Sequence, residues 1–137
     1  MMSLTGRDVI WEISIGEWLK SPIFGYGLSF LGPEHRAQLG MWWITSGHNQ
    51  FIDCLGRSGL IGLSGTIFYL LTLTYLAIKS AKQSYGISLA LVIFILIRTI
   101  SEVPITLSAL GIDATAHYLL LAAISCAFID QSRRAAK

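Results

Sequence analysis

The chain has 137 residues and a formal net charge of +2; 53% of the residues are hydrophobic, 13% are charged, and the mean hydropathy is +0.61. A soluble domain carries about 25% charged residues, so this composition excludes an ordinary soluble globular domain, and without a Lys/Arg run nothing points to nucleic acid. No charge falls between Arg57 and Lys79, between Lys82 and Arg98, or between Asp113 and Asp130, as a bilayer requires when Asp, Lys or Arg at its centre costs about 2.5–3.5 kcal/mol.

In chain order, Thr5-Gly6-Arg7-Asp8 has the form of a capping box, with Thr5 as N-cap and Asp8 three residues on. It predicts a helix to about Lys20, stopped by Ser21-Pro22 because the residue before proline avoids helical geometry. Trp11, Ile15, Trp18 and Leu19 form an apolar face opposite Glu12, which predicts an amphipathic helix on the membrane surface, where tryptophan is enriched. Arg7 falls in the first turn, where free N–H groups and the helix dipole favour an anion. Its guanidinium either holds phosphate in a bidentate fork or reaches lipid headgroups as a surface residue.

Pro22-Ile-Phe-Gly25-Tyr26-Gly27 is a turn-rich stretch, read as a loop that packs Phe24 and Tyr26 near the membrane. His35-Arg36 reads as solvated surface. In Ser46-Gly47-His48-Asn49-Gln50-Phe51-Ile52-Asp53, Ser46 is placed to cap a helix through Phe51, Ile52 and Leu55. His48 then lies in the first turn, where the dipole favours neutral imidazole. Neutral imidazole accepts a proton from an attacking hydroxyl; a capped structural histidine is the alternative. Asp53 and Arg57 stand i, i+4 and are expected to pair.

Three apolar segments follow, predicting spans at about 58–79, 83–103 and 106–130. The first, Ser58 to Ile78, reaches about 31 Å at the helical rise, enough for one crossing. Gly56, Gly59, Gly62 and Gly65 are spaced by three, which in a membrane permits close approach of another helix; a loose loop leading into the span is the other reading. The second, Gln83 to Ile97, reaches full length only if it continues through Arg98 to Val103, before Pro104. That makes Arg98 and Glu102 i, i+4 neighbours near the outer boundary. They pair with each other or with a polar group from 1–57 and set the depth of the span, or Arg98 contacts a substrate phosphate. The third, Ala114 to Ile129, embeds His117 and can start early, over Thr106 to Gly111. Cys54 and Cys126 read as buried thiols, with no CxxC or Cys/His metal spacing.

Lys79 and Lys82 follow the first span and Arg133, Arg134 and Lys137 the third. With three crossings both clusters share one side, cytoplasmic by the positive-inside rule, so 1–57 and 98–114 face outward. Met1 to Lys20 lacks the basic start and apolar core of a signal peptide, and the chain is expected to be the end of a longer one.

Leu4-Thr5-Gly6-Arg7…Ile10-Trp11, then Pro22-Ile-Phe-Gly-Tyr-Gly, then His48-Asn49-Gln50-Phe51-Ile52-Asp53, then Gly59-Leu-Ile-Gly62-Leu together resemble the O-antigen ligase and Wzy-type polymerase superfamily, most of all its exopolysaccharide production proteins. The resemblance covers nearly the whole chain and only the carboxy-terminal part of the family. It implies an all-α integral membrane fold: three spans and a surface helix, part of a GT-C-like polytopic bundle whose amino-terminal helices are missing here. It also implies glycan transfer from undecaprenyl pyrophosphate to a sugar hydroxyl on the outer, periplasmic side of the bacterial inner (cytoplasmic) membrane. By the same resemblance no metal or other cofactor is needed, and the partners are the lipid-linked glycan, a sugar acceptor and membrane lipids. The family's pyrophosphate-binding arginine falls on Arg7 and its essential histidine on His48, with Asn49, Arg98 and Glu102 as further substrate contacts. A second functional arginine of the family, in an earlier loop, has no counterpart here. A non-catalytic membrane scaffold is the alternative, and so is a transporter segment, although the first span offers such a path only Ser64, Thr66, Thr72 and Thr74.

Overall fold

In the computed structural model, which describes residues 6–105 and 112–135, the elements in order are α1 (Arg7–Trp18), a 3-10 turn (Gly27–Ser29), α2 (Pro33–Gln38), α3 (Gln50–Ser80), α4 (Ile87–Ser101) and α5 (Ile112–Ala135). No strand occurs among the described residues, and the all-helical expectation holds. The chain divides into two compact units: Met1–Ile67 with Ile100–Val103, and Phe68–Thr99 with Pro104–Lys137.

In the first unit, α1 has Gly6 at its N-cap position, left-handed at φ 65°, with no side-chain cap. Glycine adopts that conformation without a Cβ penalty. The cap is therefore one residue later than the capping box predicted, and Thr5 itself lies outside the described residues. The helix buries Ile10 and Ser14, while Ile15 and Leu19 are exposed. The predicted apolar face is thus split, because the core sits on the Ile10 side. That core is Ile10, Phe30, Leu31 and Ile44, with Trp11, Tyr26, Leu39 and Met41 packed around it. Full burial of a side chain the size of Phe30, Leu31 or Ile44 contributes about 1.5–3 kcal/mol.

The glycines of α3 receive a loop. Gly59 has φ 60° and ψ −155°, a break inside the helix. The Leu60 and Ile61 amides beyond the break donate to the Pro22 and Ile23 carbonyls, and Tyr26 N–H donates to Gly56 O. A Cβ on Gly56 would lie 2.2 Å from the Phe30 ring, and one on Gly59 2.3 Å from Ile23 O. Close approach is the reason for glycine here, as expected, but the approaching partner is the 22–30 loop. A Cβ on Gly65 would meet nothing within 4 Å.

In the second unit the buried positions recur at helical spacing: Leu70, Leu73, Ala77 and Ser80 on α3, Ser88, Val92, Ile95 and Thr99 on α4, and Leu120, Ile124 and Ala127 on α5. Ser88 Oγ donates to Ala77 O at 2.8 Å, and Tyr69 Oη lies 2.6 Å from His117 Nε2. Phe68, Leu71, Ile78, Ile93 and Ile97 are exposed.

Two helices, Gln50–Ser80 and Ala114–Ala135, are long and apolar enough to cross a membrane, with 17% and 33% of their most apolar windows buried. A helix from the core of a soluble protein would be mostly buried, whereas these apolar surfaces face outward. Beyond the Gly59 break, α3 runs on for about 31 Å, long enough for a full crossing. α4, at 15 residues, spans roughly 22 Å, shorter than a hydrocarbon core. It starts at Ile87 rather than Gln83 because Tyr85 and Gly86 take φ 53° and 84°, and Gly86 N–H closes back on Ala81 O at 2.8 Å. α5 extends past residue 130 to Ala135, with Arg134 pairing Asp130 at 2.8 Å. The early start expected at 106–111 lies outside the described residues.

Candidate functional site

The site begins with the chain path into α3. Asn49 caps the helix: its Oδ1 accepts from the Phe51 and Ile52 amides at 3.0 and 3.1 Å. Ser46, the expected cap, instead accepts the His48 amide at 3.4 Å. Asn49 Oδ1 meets the amides of the first turn from directly before it, the preferred capping position. His48 therefore stands outside the helix, with φ 47°. The expected first-turn dipole effect on its imidazole loses its geometry. A histidine in the left-handed region is uncommon and is held there by its surroundings.

Those surroundings are specific. Gly47, buried next to His48, donates its N–H to Asp53 Oδ1 at 2.9 Å and accepts Trp11 Nε1–H on its carbonyl at 2.9 Å. Asp53 is 3% exposed. Its Oδ2 accepts from Arg57 Nε at 2.6 Å, and Arg57 also donates to Phe30 O at 3.2 Å. The expected Asp53–Arg57 pair is present and clamps the peptide that carries His48. On the other side Asn49 Nδ2 donates to Ile100 O at 3.0 Å.

The side chains of Arg7 and His48 converge on Glu102. His48 Nδ1 lies 3.2 Å from Glu102 Oε2 and Arg7 Nη2 3.5 Å from Glu102 Oε1. All three side chains keep between 27% and 38% exposure, so they are open to a ligand. With Nδ1–H donated to the carboxylate, neutral His48 keeps a lone pair on Nε2, the arrangement of an oriented general base. Arg7 occupies the first position of α1, and one of its five N–H donors faces Glu102. Glu102 follows the end of α4, so it and Arg98 do not share the helix to its end. Arg98 lies in the last turn of α4 and belongs to the second unit. Asn49, expected as a substrate contact, has both side-chain polar atoms engaged within the protein.

Several features escaped the sequence. His35, read as solvated surface, is half-buried: its ring lies 5.7 Å from both Tyr26 and Phe30, stacked on the former. Its Nδ1 accepts Leu31 N–H at 3.1 Å, and Nε2 lies 3.5 Å from Glu17 Oε2. The cysteines also differ from expectation. Cys126 is exposed, and Cys54 is half-buried beside Thr66 Oγ1 at 3.1 Å. Among the described residues no group of His, Cys, Asp and Glu could hold a metal ion.

The chain matches no family model, no curated protein and no solved structure.

Proposed function

We propose that this chain is the carboxy-terminal part of a polytopic membrane enzyme of the GT-C kind that transfers a glycan from undecaprenyl pyrophosphate to a sugar hydroxyl. The observation that carries the reading is the meeting of Arg7 and His48 at one carboxylate, Glu102. These are the two residues that the motif resemblance singled out, and they come from opposite ends of the 1–57 region.

In the proposed step His48 Nε2 takes the proton of the acceptor hydroxyl as its oxygen bonds to the anomeric carbon. The bond from that carbon to the pyrophosphate oxygen breaks, and its electron pair leaves with the pyrophosphate. Glu102 holds Nδ1–H and stabilises the imidazolium that forms. Arg7 faces the charge growing on the leaving group. The proton passes from His48 to solvent and resets the site.

In this reading α3 and α5 cross the cytoplasmic membrane and α4, too short to span it alone, is completed by the segments flanking it to return the chain between them, with Lys79, Lys82, Arg133 and Arg134 inside and the Arg7–His48–Glu102 cluster outside. The basic residues support this orientation. The test is transfer of lipid-linked glycan by the full-length protein in membranes. His48→Ala should lower the rate by about 10²–10⁴-fold, and Arg7→Lys, which loses the planar fork, should lower it too, with both variants inserted at normal levels. Full activity in either variant would remove that residue's role, and full activity in both would leave the chain a scaffold.

A further inference from the structure

A cavity of mixed polar and apolar lining lies in the first unit, formed by the end of α1, the 26–32 turn and α2. Its volume is about 670 Å³, and Glu17, Lys20, Tyr26, Glu34, His35 and Gln38 are among its lining residues. None of these belongs to the Arg7–His48–Glu102 cluster.

Its walls are built before any ligand arrives. Because His35 Nδ1 accepts the Leu31 amide, the neutral ring carries its proton on Nε2, toward Glu17 Oε2. Glu17 Oε1 accepts from Lys20 Nζ at 2.5 Å. The Lys20 hydrogen bond lowers the Glu17 carboxyl below its ordinary value, so both members of the pair stay charged at neutral pH. The Tyr26 ring is fixed in turn by stacking on His35, with 26° between the planes.

The lining carries two carboxylates, Glu17 and Glu34, and one ammonium, Lys20, so a phosphate group finds no excess of positive charge, and Glu17 and Lys20 already satisfy each other. What the cavity offers is donors and acceptors side by side: ammonium, carboxylates, the Gln38 amide, and an aromatic ring at the wall. A polyhydroxylated neutral ring uses both kinds of group together with the apolar ring face. The volume lies within the range of small-molecule sites, about 300–1,000 Å³, and accommodates an oligosaccharide of two or three units.

We propose that this cavity binds a neutral sugar of two or three pyranose units. Its identification as the acceptor for the Arg7–His48 cluster rests on the glycan-transfer reading above. The cavity would hold the neutral acceptor chain, and Arg7 the anionic donor.

The test uses the full chain in zwitterionic nanodiscs, with saturation-transfer NMR to maltotriose, cellotriose, lactose and N,N′-diacetylchitobiose, and with inorganic pyrophosphate as competitor. At least one sugar should bind and should not be displaced by pyrophosphate. Gln38→Trp, at an exposed position, fills the cavity without disturbing the core and should weaken that sugar at least tenfold; Lys20→Met should also weaken it. Binding should persist in His48→Ala. Failure of all four sugars to bind, or equal binding by Gln38→Trp with unchanged thermal stability, would overturn the cavity's role. Sugar binding that is lost in Gln38→Trp, in a protein that transfers no glycan, would uphold the cavity and remove the transfer reading instead.

Discussion

His48 and Glu102, 54 positions apart in sequence, meet with Nδ1 3.2 Å from Oε2. A carboxylate at that distance orients the ring and selects its tautomer. Glu102→Gln keeps a hydrogen-bond acceptor and removes the charge that stabilises imidazolium. Steady-state kinetics of glycan transfer should show kcat down by about 10²-fold with KM little changed. A raised KM at constant kcat would make Glu102 a ground-state contact and not a positioning group.

The loop against α3 predicts a contrast among glycines. Gly56→Ala drives a methyl into the Phe30 ring, and Gly59→Ala places a Cβ at φ 60° against Ile23 O. Each should cost about 1–3 kcal/mol in thermal unfolding in detergent. Gly65→Ala meets nothing within 4 Å and should be neutral or stabilising by about 0.5–1 kcal/mol. Equal behaviour of Gly56→Ala and Gly65→Ala would contradict the docked loop.

Asp53 joins Gly47 N–H to Arg57 while 3% exposed. Asp53→Ala strands the Gly47 amide and removes the carboxylate partner of Arg57, leaving it only Phe30 O, which should cost on the order of 3 kcal/mol. Because the clamp also sets the backbone before His48, transfer should fall further than lower protein abundance explains. Activity per folded molecule equal to wild type would separate the clamp from the site.

Glu17 supplies a pH dependence. Its hydrogen bond to Lys20 makes the folded carboxyl more acidic than the unfolded one, whose ordinary value is 4.5. The stability it contributes is therefore fully present above about pH 4.5 and is lost as pH falls through the lower folded value. Lys20→Met should flatten this part of the melting-temperature profile, measured from pH 6 down to 3. An unchanged slope in the variant would show that the pair adds nothing to folding.

Orientation is open to labelling. With Cys54 and Cys126 replaced by serine, a cysteine at Glu34 should react with a membrane-impermeant maleimide in whole cells, and one at Gln83 only after lysis. The reverse pattern would invert the proposed topology.

The sequence alone determined what local spacing controls. Charge-free lengths marked α3 and α5 as long apolar helices, since the cost of a charge in lipid acts on every residue of a span. The i, i+4 register placed Asp53 beside Arg57, and proline stopped α1. Tertiary structure decided the rest. Glu102 reaches His48 and Arg7 only through the path of the chain, and no periodicity encodes that meeting. The cap of α3 passed from Ser46 to Asn49 and put His48 in a left-handed turn, because Trp11 and Asp53 hold Gly47 from two sides. His35 looked like surface in a polar loop and became the wall of a cavity because Tyr26 and Phe30 were folded against it. Gly56 and Gly59 showed in advance that something must come close. That the partner is the 22–30 loop follows from the amides freed at the Gly59 break, which need carbonyls and find them there.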